Sequence, residues 1–362
     1  MSAAVVFILF VICLVIAIPV SISLGIVAVL PGAFDSSFTA SASYVIRSML
    51  GGIDSFPLLA VPMFVLAGIL MAHGKISEKL FDVFVYFLGN KRAGIPCAVI
   101  ITCLFYGAIS GSAPATVAAV GSMTIPLLIE LGYEKDFSTA IVAVAGGLGV
   151  IIPPSIPFIM YAMATGESVS DLFLAGIVPG MMISALLIFY AYYYCRRHGE
   201  DREKIQAKMD QLKTKGFVNI LKESIWALLS PVIVLGCIYS GVASPTEAAV
   251  ISVFYSLFVS LFIYKSIKVK QIWGIMVEAM KTYAPILFIL ATSTAFSRVL
   301  TLMQVPQDVS AWIMTHFSNE IVLLLVINVV LLIVGMVMDT TPAILILSPI
   351  LLPICLLYTS DA

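Results

Sequence analysis

The chain has 362 residues, 61% of them hydrophobic and only 11% charged, with a formal net charge of -1. So little polar surface cannot cover a soluble globular domain, and a mean hydropathy of +1.11 reads as a polytopic membrane protein. The near-neutral balance gives nothing for nucleic acid to bind. Six cysteines (Cys13, Cys97, Cys103, Cys195, Cys237, Cys355) are scattered in apolar runs with no Cys-x-x-Cys. They read as small core or lipid-facing residues rather than a disulfide frame or a metal site. His73, His198 and His316 sit far apart at the ends of apolar runs and read as interfacial.

Ala3 to Leu30 lacks a basic leader and an Ala-x-Ala cleavage site, and it is too long for a signal sequence. It is expected to form a retained first spanning helix. Pro31 to Asp54 is a short mixed segment at the interface, and Phe56 to Ala72 is a second span. His73 to Arg92 carries Lys75, Lys79, Lys91 and Arg92 around an amphipathic Leu80–Leu88, which suits a helix lying in the interface. Gly94 to Leu131 is apolar but interrupted by Ser110-Gly-Ser-Ala-Pro-Ala-Thr116. Halves of about 15 residues meeting at a small polar turn describe a re-entrant hairpin; two short tilted spans are the plainer alternative.

Phe137 to Ala164 is long enough to span, yet it contains Gly146-Gly-Leu-Gly-Val-Ile-Ile-Pro-Pro-Ser155. Pro153 and Pro154 have no N–H and clash with the preceding turn, so the helix should open between Gly149 and Pro154. The freed backbone groups cost several kcal/mol each in lipid and persist only against protein, water or an ion. A helix broken at mid-membrane suits a transporter binding site, whereas a ligand-free proline kink is the bland reading.

Leu172 to Cys195 is an aromatic-rich span. Arg196 to Lys222 then holds eight basic residues against four acidic ones and is assigned to the cytoplasm. Counting crossings from that loop, a hairpin at 94–131 leaves Lys75, Lys79, Lys91, Arg92 and Lys135 all inside, together with the N-terminus. Ile225 to Val242 crosses outward, Ala243–Glu247 is outside, and Ala248 to Tyr264 returns to Lys265, Lys268 and Lys270. Thr282 to Leu300 crosses again, Val305 to His316 is amphipathic, and Ile321 to Leu357 is broken at Met338-Asp-Thr-Thr-Pro342.

The second half repeats the first about 223 to 227 residues on. Pro62–Leu70 matches Pro285–Ser293, Lys79–Leu88 matches Val305–His316, and the hairpin at 94–131 matches that at 321–357. The connecting helix 223–242 inverts the second copy. The expected architecture is therefore all-α, with inverted repeats at 1–222 and 243–362, two re-entrant hairpins, and a discontinuous helix at 137–164. The second copy stops without its own broken helix and closing span, so it is read as C-terminally incomplete.

Asp339 is a carboxylate deep in an apolar block and should meet a cation, a proton or donors, unless the turn reaches the interface and is hydrated. Thr340 and Thr341 add hydroxyls there, and Ser110, Ser112 and Thr116 supply them at the first turn. Hydroxyls together with carbonyls from Gly149 to Ile152 suit a hard monovalent ion such as Na⁺; singly, each Ser or Thr reads as packing or helix back-bonding. Arg298 either attracts an anion or snorkels, and Glu167 and Glu247 are loop charges or contacts for an outside partner. No nucleophile–base pair, phosphate loop or metal-ligand spacing is present, so nothing supports an enzyme.

Taken together, the stretches AVPMFVLAGILM, FYGAISGSAPATVAAVGSMTIP, GVIIPPSIPFIMYA, LFLAGIVPG, SPTEAAV and GMVMDTTPAILILSPILLPI resemble the large membrane subunit of tripartite ATP-independent periplasmic (TRAP) transporters, in family order. Ala93-Gly94 departs slightly, since paired glycines are frequent there in the family. The resemblance implies an elevator-type, Na⁺-driven importer of small organic acids (dicarboxylate, sugar acid or 2-oxo acid) in the bacterial inner membrane, with no cofactor beyond the coupling ion. It implies a periplasmic substrate-binding protein and a small DctQ-like membrane subunit as partners. By residue, it implies one sodium site at Ser110, Ser112, Gly149, Ile152 and Pro154, and a second at Gly335, Asp339 and Thr340. Thr116, Ser155 and Arg298 would line the substrate path. The alternatives are a stand-alone sodium-coupled anion transporter and, from another class, a channel or membrane enzyme.

Overall fold

A computed structural model of the chain describes residues 3–34, 38–214, 216–316 and 320–359. Lys215 lies outside them, as do the side chains of His316 and Cys355. Among the described residues all regular secondary structure is helical.

The N-terminal stretch corrects an expectation. In place of one spanning helix there are two, α1 (Ala3–Val15) and α2 (Val20–Phe34). Pro19 has no N–H to offer the Val15 carbonyl, and Ala17 turns left-handed (φ 63°). Ile18 N–H then closes on Cys13 O (3.0 Å) and Ala17 N–H on Leu14 O (2.9 Å), the Schellman way of ending a helix. Each piece falls short of the roughly 20 residues a crossing needs, so the count that set the N-terminus inside has no single span to rest on here. Helix α3 (Ala42–Ile53) follows, capped by Ser41, whose hydroxyl accepts the Tyr44 N–H.

A 3-10 turn (Phe56–Leu59) leads into α4 (Ala60–His73), and α5 (Ile76–Leu88) buries Ile76, Leu80, Phe81, Val83 and Val85 as its amphipathic pattern requires. Lys79 on α5 pairs with Glu223 at 2.5 Å. The hairpin is α6 (Gly94–Ser110) and α7 (Ala113–Glu130); the broken helix is α8 (Lys135–Gly146), α9 (Leu148–Ile151) and α10 (Ile156–Thr165). The long helix α11 (Val169–His198) comes next.

The basic segment 196–222 is not a plain loop. Arg196 and Arg197 close α11, α12 (Arg202–Thr214) fills its middle, and Lys222 already lies in α13 (Phe217–Tyr239). Helix α14 (Pro245–Phe258) opens on a reciprocal capping box in which the Glu247 carboxylate accepts from Ser244 N–H (2.7 Å) and Ser244 Oγ (2.8 Å). Glu247 thus has a structural partner within its own turn. After a π turn (Val259–Ile263), α15 (Ile272–Leu302) begins ten residues before the expected span. Its charged first turns are accommodated because Glu278 meets His73 at 2.9 Å. The chain continues through α16 (Val305–His316), α17 (Glu320–Val337) and α18 (Thr340–Thr359).

Among the described residues six helices are long and apolar enough to cross a membrane, or seven if the bent α8–α10 pair is one span. α7 alone meets that standard, while α6 falls among the shorter apolar helices. Exposed Leu174, Val178, Met182, Leu186 and Phe189 on α11 are tolerable because lipid, not water, is the solvent there.

The chain forms two compact units. One comprises Met1–Leu58, Ile159–Glu167 and Thr282–Ala362, and the other Leu59–Phe158 and Ser168–Lys281. The first is built around Val6, Phe10, Leu24, Val27, Phe296, Val299 and Ile346, with Phe10 stacked on Phe296. The second is built around Leu80, Ile95, Ile100, Tyr106, Ile109, Leu128 and Ile141. Helices α4 and α14 pack together, and each buries small residues, Ala60, Ala67 and Gly68 on α4 and Ala248, Ala249 and Ser252 on α14; small residues let backbones approach where no hydrophobic effect drives helices together.

Candidate functional site

The hairpin turn is made by three residues in sequence. Ser110 ends α6, Gly111 takes a left-handed φ of 60°, and Ser112 is extended (φ -141°, ψ 126°) as the N-cap of α7. Glycine is required at 111 for a further reason, since a Cβ there would lie 2.9 Å from the Pro154 carbonyl oxygen. The Ser112 hydroxyl accepts from Ala115 N–H at 3.5 Å. A proline in the first turn of α7 suits a position with no helical acceptor to lose.

The turn concentrates oxygen. Thr116 Oγ1 donates to the Ser112 carbonyl at 2.8 Å and lies 2.9 Å from Ser110 Oγ. With the Thr116 proton directed at that carbonyl, Ser110 is the donor in the hydroxyl pair. Ser110 and Thr116 are 1% and 0% exposed, while Ser112 is half-buried.

The break in α8–α10 faces it. Ile152 is extended (φ -76°, ψ 129°), the Pro153–Pro154 peptide is cis, and the helix bends by 43°. Because Pro153 and Pro154 carry no N–H, the carbonyls of Gly149 and Val150 lose their i+4 donors. The Ser155 hydroxyl donates to Val150 O at 2.6 Å and accepts Phe158 N–H at 3.3 Å, capping α10. Ile156 N–H reaches across to Gly111 O at 3.3 Å and ties break to turn.

Close backbone approach makes the junction possible. A Cβ on Gly149 would stand 2.4 Å from Thr116 Oγ1 and 2.9 Å from Ser112 O, and one on Gly107 would stand 2.6 Å from Gly149 Cα. Tyr106 fixes the neighbouring α4 by donating to Gly68 O at 3.0 Å. Within one unit, then, the fold gathers Ser110, Ser112, Thr116, Gly149 and Pro154. Ile152 is buried in the break with its side chain against Gly180, and the Ser155 hydroxyl is engaged within the break. The roles of Gly68, Tyr106 and Gly107 went unnoticed in the sequence; the Tyr-Gly pair just before Ser110-Gly-Ser112 was the available signal.

The remaining predicted residues belong to the other unit. α17 ends at Val337, and Met338 and Asp339 link it to α18, which Thr340 begins; Ala343 N–H closes on Asp339 O at 3.2 Å. Gly335, Asp339 and Thr340 are exposed. Gly335, Met338, Thr340 and Ser348 line a cavity of about 410 Å³ between α17 and α18, with Tyr161 at its side. Arg298 is exposed on α15, its guanidinium 3.9 Å from where a Gly51 Cβ would be.

Chemically, the turn–break junction offers hydroxyl and carbonyl oxygen and no carboxylate, a donor set for a hard monovalent cation. Among the described residues no three His, Cys, Asp or Glu side chains gather in a way that could hold a metal ion.

A family model described as "Tripartite ATP-independent periplasmic transporter, DctM component" matches residues 7–359. The chain is 41% identical over 343 residues to the isethionate TRAP transporter permease protein DctMQ of Oleidesulfovibrio alaskensis, covering 95% of this chain and 53% of the relative. It is 39% identical to the C4-dicarboxylate TRAP transporter large permease protein DctM of Pseudomonas aeruginosa, covering 84% and 70%. It is 36% identical to the 2,3-diketo-L-gulonate TRAP transporter large permease protein YiaN of Escherichia coli, covering 85% and 71%. The chain thus spans about half the length of the first relative and about seven tenths of the other two.

Proposed function

The chain belongs to the DctM component family of tripartite ATP-independent periplasmic transporters, and from that premise we propose that it is the large permease subunit of a sodium-coupled importer of small organic acids. The relatives named above carry isethionate, C4-dicarboxylate and 2,3-diketo-L-gulonate in their names. All are small, oxygen-rich anions. The substrate of this chain is placed in that class, delivered by a periplasmic binding protein, with a small membrane subunit completing the transporter in the inner membrane. The cation-rich segment 196–222 faces the cytoplasm on this reading, as the positive-inside rule asks.

The observation that carries the sodium assignment is the junction at Gly149, where the buried hydroxyls of Ser110 and Thr116 and the Ser112 carbonyl meet backbone that prolines have left without helical donors. A Na⁺ coordinated there bridges hairpin and broken helix, so its binding favours the arrangement in which the two are closed on each other. On this reading the hairpins enter the bilayer without crossing it, although α7 by itself is long and apolar enough to cross, and the binding elements move as a body between the two sides. Each Na⁺ entering across about 100 mV contributes about 2.3 kcal/mol, close to a 50-fold concentration ratio of substrate.

The test is uptake in proteoliposomes containing the permease with its small subunit. Accumulation is expected only with an inward Na⁺ gradient and a loaded binding protein. Uptake with Na⁺ but no binding protein would instead support a stand-alone anion transporter, and the absence of accumulation against a gradient would support a channel.

A further inference from the structure

A buried carboxylate lies at the opposite end of the hairpin helices from this junction. The Glu200 side chain, in the short link between α11 and α12, is only 2% exposed. Its Oε1 accepts the backbone N–H of Ala93 at 3.0 Å and the Tyr133 hydroxyl at 2.7 Å. Its Oε2 accepts Arg202 Nη2 at 3.0 Å, and Arg202 Nη1 donates in turn to Asn90 O at 3.2 Å. Burial of a carboxylate is tolerable here because donors surround it and one of them is a cation.

The three partners are far apart in sequence but share a structural role. Ala93 is the N-cap of α6, held in the left-handed region (φ 57°). Tyr133 sits in the turn joining α7 to α8, just after Gly132 (φ 91°). Arg202 starts α12. One carboxylate therefore fastens the roots of the helices whose far ends form the turn and the break. The root is tight, for a Cβ on Gly94 would fall 1.9 Å from Leu88 O. Desolvation and the hydrogen bond to Glu200 push the Tyr133 hydroxyl well above its ordinary pKa, so it remains a donor across the working pH range.

We infer that Glu200 is a positioning residue for the cation site, fixing the angle at which α6 and α7 present Ser110, Ser112 and Thr116 to the broken helix. Leverage supports this. The 17 residues of α6 reach about 25 Å at about 1.5 Å per residue, so a 3° tilt at the root displaces the turn by about 1.3 Å. A productive site tolerates about 0.5 Å. This inference rests on the sodium reading above only for its transport readout, since the geometry can be followed separately by amide exchange.

The experiment compares wild type with Glu200→Ala, Glu200→Gln and Tyr133→Phe in the assembled transporter, reading sodium dependence of uptake and amide hydrogen exchange. Gln keeps an acceptor for Ala93 and Tyr133 and gives up the charge pair, so its half-saturating sodium should shift by no more than about twofold. Glu200→Ala should raise that concentration at least fivefold with maximal rate within twofold. Exchange over residues 107–116 should accelerate while α13 and α14 keep wild-type protection. Unchanged exchange at 107–116 in Glu200→Ala overturns the inference, as does faster exchange spread evenly over all helices. If the Ala variant does not assemble, Tyr133→Phe decides by the same local-exchange criterion. Wild-type uptake that ignores sodium removes the cation reading and leaves the exchange comparison to judge Glu200.

Discussion

Replacing Gly149 by alanine perturbs the junction with the smallest possible change. The added methyl would meet Thr116 Oγ1 at 2.4 Å and the Ser112 carbonyl oxygen at 2.9 Å. Carbon and oxygen normally keep more than 3 Å apart, so turn and break must separate by roughly 1 Å. Thr116 cannot swing aside freely, because its hydroxyl is held to Ser112 O and Ser110 Oγ at 2.8 and 2.9 Å. Overpacking of this kind costs about 1–3 kcal/mol. If that strain opposes cation binding, half-saturating sodium rises about 5- to 150-fold. The assay is initial uptake rate against sodium concentration, with Gly236→Ala as the control because a Cβ there meets nothing within 4 Å. Wild-type sodium dependence in correctly inserted Gly149→Ala protein would refute the assignment of this junction to the ion.

Thr116→Val removes the donor to Ser112 O and the shortest hydrogen bond of the buried Ser110 hydroxyl, which keeps only its longer contacts with Ser112 O and Ser112 N–H at 3.4 and 3.5 Å, so thermal stability should fall by about 1 kcal/mol and sodium affinity with it; unaltered melting and transport would discount the hydroxyl cluster. Asp339→Ala should abolish sodium-coupled uptake with the protein still inserted, and normal coupling in that variant removes Asp339 from any ion site. Ala93→Gly relieves a left-handed non-glycine residue, a strain of about 1 kcal/mol, offset by the greater freedom of glycine in the unfolded chain and by loss of a methyl buried in the core; a melting temperature close to wild type is expected, and a fall worth more than about 2 kcal/mol would contradict it. The Asp201 carboxyl is held below its ordinary pKa of 3.8 by the Lys204 backbone N–H at the start of α12. A depressed folded-state pKa means that its stabilisation is present above the ordinary value and is lost as pH falls through the depressed one. The protection of α12 amides, taken relative to intrinsic exchange at each pH, should therefore fall as pH drops below the ordinary 3.8 in wild type and show no such step in Asp201→Asn.

Much of this was legible because membrane helices obey blunt rules. Pro153 and Pro154 cannot donate, so a break near Gly149 followed from covalent structure alone, and a glycine between serines marked the hairpin turn. The N-terminal reading failed at Pro19. One proline in an apolar run is compatible with a kinked span, and the left-handed Ala17 that completes the helix end leaves no mark on hydropathy. The start of α15 was not legible because Glu278 and Lys281 interrupt the apolar run before Thr282, whereas His73 on α4 supplies Glu278 with a partner. Glu200 was unreadable for a related reason. In the sequence it is one of four acids tempering a basic segment, and its burial depends on backbone at residue 93 and a phenol at residue 133 that only tertiary folding brings to it.

The most direct test of the cation site needs no substrate. Amide exchange of the purified transporter is compared in equal concentrations of NaCl and choline chloride. Sodium should slow exchange at 110–116 and 149–156 together, leaving α13 and α14 unchanged. Identical exchange at both segments in the two salts would contradict the claim that hydroxyls and freed carbonyls at Gly149 hold the coupling ion.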